Sequence, residues 1–96
     1  MHYFDWNTDK NEWLKEHRDI TFEEIVFHIL HGGLLDVLEH PNKKRYSDQR
    51  IFIVNVEDYV CIVPYVETKE SVFLKTIIPS RKMTKKYLGS NKNETE

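Results

Sequence analysis

Residues 50–78 read RIFIVNVEDYVCIVPYVETKESVFLKTII, and this stretch decides the fold class. Ile, Val, Phe and Tyr dominate 50–56, 59–66 and 71–78, and Glu57-Asp58 and the polar run 67–70 supply turn signals between them. Three consecutive strands with short connections predict an antiparallel meander. Pro64 has no amide proton to give to a ladder, so the middle run should bulge or end early there. Pro79 should stop the last strand.

Upstream the period changes from two to 3.6. Thr21-Phe22-Glu23-Glu24 is a capping box, and Ile20 with Ile25 fits a hydrophobic staple across it. Phe22, Ile25, Val26, Ile29 and Leu30 fall on one helical stripe, and Gly32-Gly33 supplies a left-handed stop. Asn7 is an N-cap for an earlier helix over 8–18, with Asp9 in its first turn. Its apolar content is thin, Trp13 and Leu14 flanked by Lys10 and His17, so it belongs mostly to the surface. Residues 2–6 should be extended, 34–39 a strand, and 81–88 a short helix closed by Gly89. The order β-α-α-β-β-β-β predicts an α+β domain, its two N-terminal helices on one face of a small, mainly antiparallel sheet. The opposite face should be partly polar, since so short a chain cannot cover both.

Ninety-six residues support one domain, expected over 1–89 with 90–96 a frayed tail. With 40% hydrophobic and 31% charged residues, the chain is neither disordered nor a membrane span. No apolar run approaches the roughly 18 residues that a spanning helix needs, and a soluble cytoplasmic protein is expected. The net charge of −2 hides an asymmetry: residues 1–68 carry −6 and residues 69–96 carry +4. The basic end is a polyanion-facing patch or an ordinary solvated face.

Several constellations invite chemistry. His28, His31 and His40 lack a carboxylate or thiol at a recognisable ligand spacing, so neither a metal nor any other cofactor is expected. Cys61, alone in its chain, excludes a disulfide framework and sits in an apolar run without a cation to activate it. Arg50 and Arg81 stand at the ends of apolar strands. Together there they would suit a metal-free phosphodiester site, with a surface salt bridge as the ordinary alternative.

Phe4-Asp5-Trp6-Asn7, Lys10, Ile20-Thr21-Phe22-Glu23-Glu24, Arg50 before a β run and Ile77-Ile78-Pro79-Ser80-Arg81-Lys82 resemble the BrnT family of bacterial toxins. The resemblance covers about residues 3–88. It implies a RelE-like fold, a metal-independent ribonuclease that arrests translation by activating an RNA 2′-hydroxyl, and a toxin–antitoxin pairing. The implied partners are a ribbon-helix-helix (CopG-like) antitoxin and RNA, on or off the ribosome, with operator DNA reached only through the antitoxin and no membrane. Arg50, Arg81 and Lys10 match family positions. His17-Arg18 replaces a Lys-His pair, Asp19 stands where glycine is usual, Thr76 beside Lys75 replaces an arginine, and Tyr87 replaces a glutamate. The resemblance thus nominates Arg81, Arg50, His17 and Tyr87 for catalysis, and Lys75, Lys82, Lys85, Lys86, Lys10 and Arg18 for RNA binding. Arg81 is expected to project toward the start of the Arg50 strand. A non-catalytic binding module and a co-repressor on the same fold are the alternatives.

Overall fold

The computed structural model describes residues 3–89, so His2 and the 90–96 tail lie outside the described residues. The chain runs β1 (Tyr3–Trp6), α1 (Thr8–Arg18), α2 (Phe22–His28), a wide π-type turn (Ile29–Gly33), β2 (Leu34–Glu39) and β3 (Gln49–Val56). It continues through β4 (Tyr59–Glu67), β5 (Ser71–Leu74), β6 (Ile78–Pro79), α3 (Arg81–Thr84) and a second π-type turn (Lys85–Gly89). This is a small α+β fold on a mixed sheet of order β1-β5-β4-β3-β2, with β6 also on β4. β1 pairs parallel with β5, an edge assignment that its four residues alone did not announce.

The expected third strand is two. On β4, Tyr65 faces Leu74 and Ile62 faces Ile78, so Val63 and Pro64 oppose three residues, Lys75, Thr76 and Ile77. That is a β-bulge on the strand facing Pro64. The Pro64 carbonyl accepts from Lys75 N at 2.8 Å, which puts its proton-free nitrogen on the same side of the strand. The donor is missing where β5 leaves and β6 joins. One extra residue also reverses facing, so Leu74 and Ile77, three apart, are both fully buried in one cluster. Strict alternation therefore does not hold across Lys75 and Thr76. Pro79, expected as a stop, is the last residue of β6 and lies opposite Cys61.

Period two sorts the core. Phe52, Val54, Cys61, Val63 and Tyr65 cluster with Leu14, Ile20, Phe22 and Ile25 of the α1–α2 region, Phe52 and Tyr65 stacking at 3.8 Å. The intervening Ile51, Ile53 and Val60 cluster with Leu38, Ile62, Met83, Tyr87 and Leu88. The second face, expected to be partly polar, carries Asp36 beside these apolar side chains and is partly covered by the chain's C-terminal segment.

The capping box forms as written: Glu24 N donates to Thr21 Oγ1 at 3.2 Å and Thr21 N to Glu24 Oε1 at 3.0 Å. Asn7 caps α1 through Lys10 N at 2.8 Å. Asp19 ends α1 at φ 55°, a left-handed conformation that glycine adopts freely and Asp tolerates. Leu30 departs from the expected stripe and is 66% exposed, because the helix widens after His28 and turns it off the sheet. Gly32 takes the left-handed stop at φ 91°, whereas Gly33 serves close approach: a Cβ there would lie 2.7 Å from the His28 carbonyl oxygen.

Asn11 is the buried polar residue of α1. Its Oδ1 accepts from Phe22 N at 2.7 Å and its Nδ2 donates to Glu23 Oε1 at 2.8 Å, tying the middle of α1 to the start of α2. That bond holds the Glu23 carboxyl below its ordinary range. Asn11→Ala strands the Phe22 amide and should cost about 1–3 kcal/mol in urea denaturation. A loss no larger than that of the exposed Glu12→Ala would remove Asn11 from this role.

Candidate nucleic-acid interface

Lys10, Trp13 and His17 are spaced i, i+3 and i+7 and so share one face of α1. Trp13 is 40% exposed and organises that face. The His17 ring stacks on it with centroids 4.6 Å apart, Lys10 Nζ lies 4.4 Å from the ring centre, and Arg18 Cζ lies 5.1 Å away. His17 Nδ1 is 2.9 Å from the Trp13 carbonyl oxygen, a contact that makes Nδ1 the protonated nitrogen of the neutral ring. Nε2 is then the basic one. Cations suit this place, since the last turn of α1 presents the negative end of its dipole.

Arg18 reaches across the fold. Its Nη1 donates to the Ile77 carbonyl oxygen, on the bulged side opposite Val63 and Pro64, where ladder pairing is broken. The cationic end of α1 thereby meets the segment carrying Lys75, whose exposed ammonium lies 5.5 Å from the Phe73 ring centre. Beyond it, Ser80 caps α3 by accepting from Met83 N at 3.1 Å, and α3 opens with exposed Arg81 and Lys82. Residues 71–89 hold five Lys/Arg and no Asp/Glu. No carboxylate pairs with Arg81, Lys82, Lys85 or Lys86 among the described residues.

Two nominated residues stand elsewhere. Arg50 is the second residue of β3, opposite Tyr65 and beside its hydroxyl. Burial pushes the Tyr65 phenol up, and the Arg50 guanidinium partly offsets this. Ser80 N donates to the Val60 carbonyl at 2.9 Å, so Arg81 starts near Val60, five β4 residues from Tyr65, or roughly 16 Å along the strand. The expected approach of Arg81 to Arg50 is therefore not found. In a three-stranded antiparallel meander the first and third strands run the same way, so the start of one and the end of the other lie at opposite ends of the sheet. Tyr87 donates its hydroxyl to Asp36 Oδ2 at 2.8 Å, and this bond to a carboxylate raises its pKa. It ties the C-terminal turn to β2 on the Ile53 face.

No family profile, curated protein or solved structure matches this chain. The chemistry of the site has to speak for it. Three nominated residues from α1 (Lys10, His17, Arg18) surround one half-exposed indole, and Arg18 bonds the segment that bears Lys75 and leads to Arg81. Such a surface offers forked and point-charge donors to phosphate and an imidazole nitrogen for a proton. Trp13, one of several aromatic residues in the sequence able to stack on bases, is the functional candidate that sequence reasoning did not single out. Its spacing to Lys10 and His17 was the available signal.

Among the described residues no three His, Cys, Asp or Glu gather as a metal site. His31 Nδ1 is held by the Phe27 carbonyl at 2.7 Å, and His40 Nδ1 accepts from Asn42 N at 3.1 Å. Cys61 is 2% exposed, and burial pushes its thiol up to about 11 from an ordinary 9.0. The folded state thus holds this proton more tightly than the unfolded one. Its contribution to stability is complete below pH 9 and is lost as pH rises through about 11. At pH 8 the native thiol should resist a disulfide reagent and react only as denaturant unfolds the protein. Fast labelling without denaturant would overturn this.

Proposed function

We propose that this chain is the toxin of a type II toxin–antitoxin pair, a ribonuclease on a RelE-like fold that arrests translation, as its BrnT-like motifs imply. The observation that carries the reading is the bond from Arg18 to the Ile77 carbonyl, which joins the Trp13 cluster to the acid-free basic segment. RNA phosphates lie along Lys10 and Arg18 and pass over the sheet edge at Ile77 toward Lys75 on the other face and on to Arg81, Lys82, Lys85 and Lys86. His17 Nε2 takes the proton of a 2′-hydroxyl, whose oxygen bonds the adjacent phosphorus to give a 2′,3′-cyclic phosphate, while the bond to the 5′-oxygen of the next nucleotide breaks and that oxygen leaves as a hydroxyl with a proton from water. Arg18, with one donor committed to Ile77, turns its remaining N–H groups to the charged phosphorane. Arg50 and Tyr87, engaged with Tyr65 and Asp36, leave the catalytic set in this reading.

Free RNA affinity rests on neutralised phosphates, and a chain of net charge −2 concentrates its binding in this one stripe. Docking on a ribosome relaxes the demand further. A ribbon-helix-helix antitoxin neutralises the toxin in the cytoplasm and carries it to operator DNA.

Induced expression of the wild type should stop growth and generate new RNA 5′ ends. His17→Ala should lower cleavage by about 10²–10⁴-fold and restore growth while keeping a native circular dichroism spectrum. Arg50→Ala should still arrest growth. Arrest by a folded His17→Ala would overturn the assignment of the base. Absence of arrest by the wild type would favour the co-repressor or binding-module alternative.

A further inference from the structure

The face opposite α1 and α2 carries an apolar groove of about 290 Å³. Ile51, Ile62 and Pro64 form its floor, Leu38 one wall, and Ile78 with Met83 the other. Ile78 is 41% exposed, although it sits between apolar neighbours on β4 and α3. The C-terminal turn covers one end of the face only, fixed there by the Tyr87–Asp36 bond.

We infer that this groove docks an acidic, amphipathic helix of a partner protein. Shape is the first argument. From β2 across β3 and β4 to β6 there are three strand spacings, about 14 Å, which admits one helix of about 10 Å diameter. Addition of a strand at the neighbouring edge is disfavoured, because Val37 N on edge strand β2 already donates to its own chain's Asp36 Oδ1 at 2.8 Å. Charge is the second argument. The Met83 wall belongs to the segment carrying Arg81, Lys82, Lys85 and Lys86, none of which has a carboxylate partner among the described residues. On the opposite wall Glu39 is held by Lys43 at 2.8 Å, so it presents no free anion to a partner's acids. Leucines of the helix would fill the groove while its Asp and Glu meet α3 and the turn after it.

Within the toxin reading the partner is the neutralising protein, and only the partner's name rests on that reading; the groove lies on the other face from the Trp13 cluster. The test is a methyl and amide NMR titration of the full chain with a synthetic helix of leucines on one side and glutamates on the other. Methyl groups of Ile51, Ile62, Ile78 and Met83 should shift saturably. A peptide with lysine in place of glutamate should bind about tenfold more weakly, as should the acidic peptide to a Lys82→Glu/Lys85→Glu variant. Unmoved groove methyls, equal binding of the two peptides, or full binding by a folded Ile78→Glu variant would overturn the inference. Shifts that follow protein concentration without peptide would do so too, identifying a second copy as the occupant. The titration contains no RNA, so its failure leaves the growth result for His17→Ala untouched, and the converse holds.

Discussion

Pro64 offers no N–H toward the strand beside it, and much of the molecule follows from that missing donor. A regular third strand opposite residues 61–67 would leave an unmatched carbonyl at this point. The chain instead inserts a residue, placing Lys75, Thr76 and Ile77 against Val63 and Pro64. The bulge reverses side-chain facing, so Ile77 joins Leu74 in the α1–α2 core while its carbonyl becomes the acceptor for Arg18. The chain then re-enters the ladder as β6 and leaves it through Ser80, whose hydroxyl caps α3. A single ring closure thus decides where the basic segment lies and how the end of α1 is anchored.

The helical layer has its own polar pin. Asn11 satisfies the Phe22 amide from the side of α1, and the Thr21–Glu24 box satisfies the neighbouring donors from within α2. With those donors met, Phe22 enters the core with no exposed surface and stacks on Trp6 at 5.6 Å. Thr21 to Glu24 could be read directly because every partner lies within four residues. Asn11 could not, because its partners lie 11 and 12 residues away in another helix.

The same distinction explains what else was legible. Strand identities, the N-caps and the Pro64 irregularity are local consequences of side-chain branching, hydrogen-bond inventory and ring closure. The exposure of Leu30 depends on the helix widening before Gly32-Gly33, and a 3.6-residue stripe continued through that point misplaces it. The pairing of β1 with β5 joins residues almost seventy apart and leaves little local signature. For the site, the types of residue were readable and their grouping was not. Arg50 and Arg81 both stand at strand ends, yet a meander separates those ends, whereas Trp13 gathers Lys10 and His17 by plain helical spacing, and Arg18, five residues on, reaches the ring from the end of the helix.

The charge asymmetry of the sequence acquires a spatial meaning from this arrangement. Lys82, Lys85 and Lys86 belong to the segment that joins the two faces: it leaves the bulge on the Arg18 side and ends against Ile53 and Val60 through Tyr87 and Leu88. On the readings proposed above, RNA approaching Trp13 and an acidic helix in the groove draw on the same cations, although they touch opposite sides of the sheet. Charge interactions decay over about 8 Å at physiological salt, so carboxylates seated against α3 reduce the field available to a phosphate chain passing within that distance. A partner in the groove then opposes RNA by neutralising charge, without entering the space around His17.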